Sequence, residues 1–342
     1  VSAILDWMSF EEMIDTISSL GYECVEAACW PSGKAERRYA GVSHIDVDEL
    51  SEAKAEYILN YCKEKNVEIS SLAFYPNTMD GDLEKRKANI EHLKKVIAAS
   101  QKLGIGMVTT FIGRDHTKSV EENLKLFEEI WPDIIRFAEE HRVKVAIENC
   151  PMLFDETQWP GGQNLATTPK IWRRMFEIIP SGNFGLNYDP SHFVWQMMDY
   201  IKPMYEFRDR IFHVHYKDIK LYKDRLEDAG TMAYPLEYMA PKLPGLGDVD
   251  WAKYVSALTD IGYNVVHTMP FGDHHNFEND DVVDIWKEAF AHQADAICIT
   301  EKDAVKLSQL HAIEDLKIPI LVLSIGIEFV SGKQEFIENL EI

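Results

Sequence analysis

Short runs of β-branched and aromatic residues alternate, over the first 266 positions, with longer segments whose apolar residues recur every three or four residues. The short runs have the composition of strands, and the longer segments have the period of amphipathic helices. Strands that alternate with helices form a parallel sheet. Eight such units in this length favour a closed (β/α)8 barrel over an open doubly wound sheet. The predicted strands are residues 1–5, 23–27, 67–74, 106–111, 143–148, 184–188, 211–215 and 263–266.

The helical segments carry recognisable start signals. Ser9, with Glu12 three residues later, forms the capping-box pattern that opens the first helix. No G-x-G-x-x-G motif follows the first strand, and no G-x-x-x-x-G-K-[ST] motif occurs anywhere in the chain. Neither a dinucleotide-binding fold nor a phosphate-binding loop is therefore indicated. The other helices of the barrel are predicted over residues 48–65, 83–103, 119–141, 168–179 and 250–261.

The pattern changes after residue 266. Residues 267–277 form a turn-rich stretch that is dense in His and Asp. Further along, helices are predicted at 280–291, 303–310 and 333–340, and strands at 296–300 and 318–329. The sequence thus predicts two domains in an α/β protein: a barrel over residues 1–266, incomplete at strand 8, and a small C-terminal α/β segment over residues 267–342.

The composition is that of an acidic soluble protein. Of its 342 residues, 46% are apolar, which suffices for one large core, and the formal net charge is −22. That charge disfavours nucleic acids and anionic membranes as partners. Five cysteines without a C-x-x-C pair favour a reducing compartment, so we expect a cytoplasmic protein. No apolar run approaches the length of a membrane span.

Three neighbouring strands each end in a good metal ligand. The fifth predicted strand ends in Glu148, the sixth in Asp189 and the seventh in His215. The active site of such a barrel lies at the C-terminal ends of its strands, so these side chains should meet. Carboxylates together with an imidazole favour one divalent ion: Mn²⁺, Co²⁺, Mg²⁺ or Zn²⁺. A single carboxylate after a strand is more often a helix cap, but three in succession are harder to attribute to chance.

The segments around these residues resemble the sugar phosphate isomerase/epimerase family, also called xylose isomerase-like TIM barrels. The resemblance covers about residues 1–266 and lies in the stretches 29–34, 145–149, 159–165, 187–192, 215–218 and 242–251. It implies proton transfer through an enediol on a carbohydrate substrate, with Glu148 acting as both ligand and base. It also implies that His192 and Trp30 contact the substrate. Barrels of this family often pair, so a homo-oligomer is expected.

Lys217 and Asp218 follow the third ligand directly. Two interpretations are open for them: they orient the ligands or the substrate, with Lys217 as a catalytic residue, or they form an ordinary salt-bridged loop pair.

The eighth strand departs from the family pattern. The resemblance implies a second Glu there as the fourth ligand and second base, but this chain has Tyr263-Asn264-Val265-Val266-His267. His267 is the nearest ligand-type residue, with Asp273 and His274 further on. Either these residues replace the missing ligand, or the second base is lost and turnover is impaired.

The C-terminal segment resembles another family. Residues 271–277, 300–307 and 327–333 are similar to the C-terminal end of tetraacyldisaccharide 4′-kinase, an enzyme of the lipid A pathway. The resemblance implies that Asp273 and His274 match active-site positions of the kinase. The chain lacks a phosphate-binding loop, so kinase activity is not expected. Three functions therefore remain open: a sugar isomerase or epimerase, a lyase of the inosose dehydratase type or an endonuclease IV-like enzyme, and a non-catalytic fusion product.

Overall fold

A computed structural model describes residues 1–31, 33, 41–153, 162–262, 269, 271, 275–294, 297–313, 318 and 320–323. The chain divides into two compact units, Val1–Ile261 and Gly262–Ile342. No helix among the described residues is long and apolar enough to cross a membrane.

The first unit is built on a parallel sheet of six strands whose spatial order follows the chain order. Sequential parallel pairing with a helical crossover at each step is the arrangement of a (β/α) barrel, and it confirms the predicted fold class. The strands are β1 (Cys24–Ala28), β2 (Glu68–Ala73), β3 (Met107–Thr110), β4 (Lys144–Glu148), β5 (Phe184–Tyr188) and β6 (Ile211–Val214).

The helices of this unit begin where the sequence places their caps. Ser9 and Ser119 each form a complete capping box, with Glu12 and Glu122 respectively. Each long helix packs an apolar stripe against the sheet, with Trp131 of α4 and Trp172 of α5 completely buried. The helices are α1 (Phe10–Ser19), α2 (Glu52–Glu64), α3 (Leu83–Lys102), α4 (Val120–Glu140), α5 (Pro169–Ile178), α6 (Ser191–Val194), α7 (Lys202–Glu206), α8 (Lys223–Ala229) and α9 (Trp251–Gly262).

Strands β3, β4 and β5 are almost entirely buried. All five residues of β5 are buried, and so are the last four of β4. Near-continuous burial of this kind is typical of parallel sheets. It also means that a charged residue inside a strand needs a specific partner.

The predicted first strand is wrong. Residues Ser2–Ile4 form a 3₁₀ helix, and the Ser2 hydroxyl accepts a hydrogen bond of 2.8 Å from the backbone N–H of Ala28. Five apolar-rich residues do not distinguish a strand from a single helical turn, which explains the error. The predicted eighth strand, residues 263–266, lies outside the described residues.

An antiparallel hairpin that was not predicted follows the sixth strand. It pairs β7 (Asp218–Leu221) with β8 (Met239–Lys242). The sequence of β8, Met-Ala-Pro-Lys, has neither alternation nor β-branched residues, so no periodicity could reveal it.

The second unit is a small α/β segment. It contains α10 (Asn279–Ala291), β9 (Ile297–Thr300), α11 (Glu301–Leu307) and β10 (Ile320–Leu323), with β9 and β10 paired in parallel. The predicted helix at 280–291 and the strand at 296–300 are confirmed. The predicted helix at 333–340 lies outside the described residues.

Candidate metal centre

The three predicted ligands lie at one edge of the sheet. Glu148 is the last residue of β4, Asp189 follows β5 directly, and His215 follows β6 directly. The register pairs Glu148 with Asn187, and the N–H of His215 donates a hydrogen bond of 2.9 Å to the carbonyl of Tyr188. Neighbouring parallel strands therefore end at the same level, which brings the three side chains together.

The ligand atoms of Glu148, Asp189 and His215 all lie within 4.8 Å of one another. Nδ1 of His215 is 2.9 Å from Oε1 of Glu148. The three side chains are buried, with exposed fractions of 4%, 0% and 9%. Two carboxylates and an imidazole buried at this spacing fit a divalent cation.

The two carboxylate oxygens of Asp189 differ in their hydrogen bonding. Its Oδ1 accepts hydrogen bonds from the backbone N–H and the hydroxyl of Ser191, at 2.9 and 2.6 Å. The side chain of Asn149 bonds both the N–H and the carbonyl of Asp189, which fixes the backbone there. Oδ2 is buried and receives no hydrogen bond. Such an oxygen is costly unless a cation completes it.

Two cationic groups lie beside this oxygen without bonding it in good geometry. Nζ of Lys217 is 2.8 Å from Asp189 Oδ2 and 3.0 Å from Glu148 Oε1. Nε2 of His192 is 3.3 Å from the same Asp189 oxygen and 3.4 Å from the Lys217 ammonium. The Lys217 side chain is half-exposed. The Lys217 ammonium donates a hydrogen bond to Glu148 Oε1, whereas the two contacts with Asp189 Oδ2 are ion pairs.

Neighbouring charges shift the pKa values of Glu148, Asp189 and His215. Burial alone would raise the pKa of Glu148 and of Asp189. The Lys217 ammonium, together with His215 beside Glu148 and His192 beside Asp189, outweighs burial and holds both carboxyl pKa values below their ordinary range. Burial opposes the charged form of His215, yet Glu26 and Glu148 raise its pKa to about 9. Both carboxylates are therefore ionised at neutral pH and ready to bind a cation.

The opposite side of the His215 ring contacts Glu26, a residue that the sequence did not single out. Nε2 of His215 is 2.7 Å from Oε2 of Glu26. The other Glu26 oxygen accepts hydrogen bonds from the hydroxyls of Tyr75 and Thr109, the latter at 2.5 Å. Glu26 is the one charged residue in β1, which reads Cys-Val-Glu-Ala-Ala, and that isolated charge was the available signal.

A second group of ligand-type residues, Glu26, His213 and His215, is also close enough to hold an ion. Its atoms already have partners within the protein. Nδ1 of His213 lies 3.0 Å from Oδ1 of Asn187, and Nε2 lies 3.2 Å from the Ser70 hydroxyl. Because both imidazole nitrogens of His213 are occupied, this group forms a hydrogen-bonded network rather than an open ligand set.

Lys217 and Asp218 make different contacts. Lys217 contacts the predicted ligands Glu148 and Asp189. Asp218 instead accepts five hydrogen bonds, from the backbone N–H groups of Gly245, Gly247, Val249 and Ile219 and from the indole of Trp251. A Cβ atom on Gly247 would lie 2.1 Å from Asp218 Oδ1, so only glycine fits this close approach. Asp218 therefore anchors the loop that precedes α9.

The remaining predicted residues are placed as follows. Trp30 is half-buried, stacks edge-on against Phe74 at 4.9 Å, and packs beside an apolar cluster that includes Tyr75 and Phe111. His267, Asp273 and His274 lie outside the described residues. A contact of Trp30 or His192 with a substrate stays a prediction.

The chain matches the model of one protein family, the xylose isomerase-like TIM barrel, over residues 14–295. This match extends beyond residue 266 into the segment predicted to resemble a lipid A kinase, and the comparisons give that kinase resemblance no support. No curated protein sequence gives a significant match.

Several solved structures share the fold. The IOLI protein with a binding zinc atom is 17% identical, with a TM-score of 0.56 and coverage of 77% of this chain and 84% of that one. D-Psicose 3-epimerase from Clostridium cellulolyticum H10 is 16% identical (TM-score 0.54, coverage 75% and 77%). The probable 3-DHS dehydratase AsbF from Bacillus anthracis is 17% identical (TM-score 0.55, coverage 74% and 84%). The family match covers most of the chain, and this chain therefore belongs to the xylose isomerase-like TIM barrel family.

Proposed function

We propose that this chain is a metal-dependent isomerase or epimerase of a sugar or sugar derivative, with Glu148, Asp189 and His215 as the ligands of one divalent ion. The observation that carries the proposal is the convergence of these three buried side chains on a point faced by the unsatisfied Oδ2 of Asp189. Mn²⁺, Co²⁺, Mg²⁺ and Zn²⁺ all suit this donor set.

The bound ion would polarise the carbonyl and hydroxyl oxygens of the substrate and so acidify the carbon–hydrogen bond next to the carbonyl. Glu148, held ionised, takes up that proton and leaves an enediolate, which a proton from Lys217 would convert to the enediol. Lys217 and His192 lie at the exposed side of the ligands, where they can donate hydrogen bonds to substrate oxygens. The family likeness to a D-psicose 3-epimerase supports a carbohydrate as the substrate class.

The absence of a Glu in the sequence of the eighth strand bears on the reaction type. Epimerisation removes a proton from one face of a carbon and returns a proton to the other face, so it needs a group on each side. An aldose–ketose isomerisation moves a proton between adjacent carbons on one face, and Glu148 can carry out that carbon-to-carbon transfer without a base on the other face. Of the two reactions in our proposal, isomerisation is thus the less demanding for this chain.

The test is proton exchange. The chain, loaded with Mn²⁺ or Co²⁺, is incubated in D₂O with a panel of ketohexoses and aldohexoses, and deuterium is followed by NMR. We expect deuterium at the carbon next to the carbonyl, together with isomerised or epimerised sugar. The Glu148→Gln variant should lose this exchange, while Glu68→Gln, at the exposed start of β2, should keep it. Failure of the metal-loaded chain to exchange any sugar would contradict the proposal.

A dehydratase is the second candidate, and proton-bearing groups beside the proposed base favour it. Glu148 would remove the proton next to the carbonyl, and Lys217 or His192 would protonate the departing hydroxyl as water. The fold likeness to a probable 3-DHS dehydratase supports this reaction class. In the same incubation, a product lighter by one water molecule would identify a lyase.

We further propose that the chain acts in the cytoplasm as a homo-oligomer and that residues 267–342 add no kinase activity, since the sequence lacks a phosphate-binding loop.

A further inference from the structure

His215 presents its two ring nitrogens to two different environments. Nδ1 lies 2.9 Å from Glu148, on the side of the other proposed ligands, and Nε2 lies 2.7 Å from Glu26. A metal ion held with Glu148 and Asp189 would take Nδ1, and Nε2 would then carry the proton and donate it in a hydrogen bond to Glu26. We propose that Glu26 is a positioning residue that fixes the tautomer and ring orientation of His215 for metal binding. The inference rests on the proposed metal centre.

Glu26 is itself firmly held. It lies in the middle of β1, and its side chain is 3% exposed. One carboxylate oxygen faces His215, and the other accepts the hydroxyls of Tyr75 and Thr109. A carboxylate with both oxygens hydrogen-bonded has little freedom to rotate. It therefore holds the imidazole of His215 in one orientation. Such partners raise the basicity of a ligating histidine and sharpen its orientation.

Glu26 does not substitute for the missing strand-8 ligand. It contacts the ring nitrogen opposite to the one that faces Glu148, so it lies on the far side of the imidazole from the proposed ion. The other member of its group, His213, has Asn187 and Ser70 at its two nitrogens. The arrangement predicts one ion per chain, with Glu26 outside its coordination sphere.

Burial of this carboxylate is energetically costly, which argues for a specific task. Removal of a carboxylate from water costs several kcal/mol, and well-packed apolar residues often serve a fold equally well. Here the strand neighbours Val25, Ala27 and Ala28 are apolar and buried. One oxygen of Glu26 contacts one nitrogen of one proposed ligand and two hydroxyls hold the other oxygen, which is the arrangement expected of an orienting carboxylate.

The experiment compares metal binding by the full chain and by Glu26→Gln. The amide keeps an acceptor for His215, and the Tyr75 and Thr109 hydroxyls can turn to accept its N–H groups, so the variant should fold. We expect calorimetry to show one Mn²⁺ per chain in both proteins, with affinity about 10- to 100-fold weaker in the variant. With Co²⁺, the visible absorption spectrum should shift, because the imidazole ligand changes its orientation and basicity. Glu68→Gln serves as the exposed control.

The possible results of this experiment separate the inference about Glu26 from the proposed function. Equal affinity and an unchanged Co²⁺ spectrum in Glu26→Gln would overturn the inference, even if the variant melts at a lower temperature. Two ions in the parent chain and one in the variant would show Glu26 to be a ligand and would also overturn it. Failure of the parent chain to bind metal would instead contradict the proposed function.

If Glu26→Gln does not fold, Tyr75→Phe replaces it, since it removes one hydroxyl from the far oxygen of Glu26. A smaller loss of affinity would support the inference, and unchanged affinity would overturn it.

Discussion

The two sides of the His215 ring differ in how completely their polar atoms are paired. On the Nε2 side, both oxygens of Glu26 have partners, and His213 and Asn187 extend a closed network. On the Nδ1 side, Asp189 leaves one buried oxygen without a hydrogen bond, and the half-exposed Lys217 supplies positive charge. Both sides contain acidic residues and histidine, so residue types alone do not separate them.

The comparison teaches that the number of hydrogen bonds to a buried carboxylate separates residues that support the structure from residues that can bind a metal ion. A buried carboxylate whose oxygens all accept hydrogen bonds positions its neighbours, whereas one with an oxygen held only by ion pairs can exchange them for a bound cation. The same rule applies to Asp218, which lies three residues from His215 but accepts five hydrogen bonds and holds a loop. The following changes test this distinction.

The largest effect is expected for Asp189→Asn, which removes a charged ligand from the unsaturated side. Metal affinity should fall by more than about 100-fold, because even groups that only support ligands contribute about 10- to 100-fold. Calorimetric titration with Mn²⁺ measures the change. A variant that binds within a few-fold of the parent chain would place the ion elsewhere.

Asp218→Asn is the matched change at a saturated carboxylate. An amide offers one acceptor oxygen where five N–H donors converge, so the free energy of unfolding should fall by about 3 kcal/mol. Urea unfolding of the metal-free chain measures this loss. Metal affinity of the folded variant should stay within about threefold of the parent, and a loss comparable to that of Asp189→Asn would erase the distinction between the two carboxylates.

The stability of the metal-free chain should fall as the pH rises from 6.5 to about 9. Burial opposes the charged form, but Glu26 and Glu148 raise the pKa of His215 from 6.5 to about 9. A folded-state pKa above the unfolded value gives stabilisation that is complete below pH 6.5 and is lost as the pH passes 9. We expect the free energy of unfolding to fall by about 2 kcal/mol over this range. Thermal melts at a series of pH values measure the change.

Metal should reverse that dependence. The ion competes with the proton for Nδ1, so Mn²⁺ should bind more tightly as the pH rises over the same range, and binding should release protons. A melting temperature that rises with pH in the metal-free chain would contradict the assignment of the charged imidazole.

Lys217→Met should give the smallest change. The ammonium group contacts both Glu148 and Asp189, but it is half-exposed and partly screened, so its loss should cost the metal-free chain about 1 kcal/mol. Because an internal cation no longer competes, Mn²⁺ should bind several-fold more tightly, by roughly 1 kcal/mol. Turnover should nevertheless fall if Lys217 contacts the substrate. Weaker Mn²⁺ binding in this variant would show that the ammonium group supports the ion rather than competing with it.

Much of this arrangement could be predicted from the sequence. Each of Glu148, Asp189 and His215 ends or follows a run of apolar residues, and parallel strands bring such positions to one edge. The helices after Ser9, Ser119 and Thr168 were predictable because their caps are local signals.

Other features depend on contacts between distant residues. Glu26 lies in the middle of its strand rather than at the end. It is 189 residues from His215 in the sequence, so their contact is visible only in the folded chain. The β8 strand of the hairpin carries no alternating pattern, and the 3₁₀ turn at Ser2 is too short to show a period. Pairing of polar atoms, which separates the two sides of His215, is a property of the folded chain alone.

Anomalous diffraction from a crystal of the Mn²⁺-loaded chain tests the central claim most directly. We expect one anomalous peak per chain, at about 2.0–2.3 Å from a carboxylate oxygen of Glu148, Oδ2 of Asp189 and Nδ1 of His215. A peak between Glu26 and His213, or no peak near His215, would contradict the account.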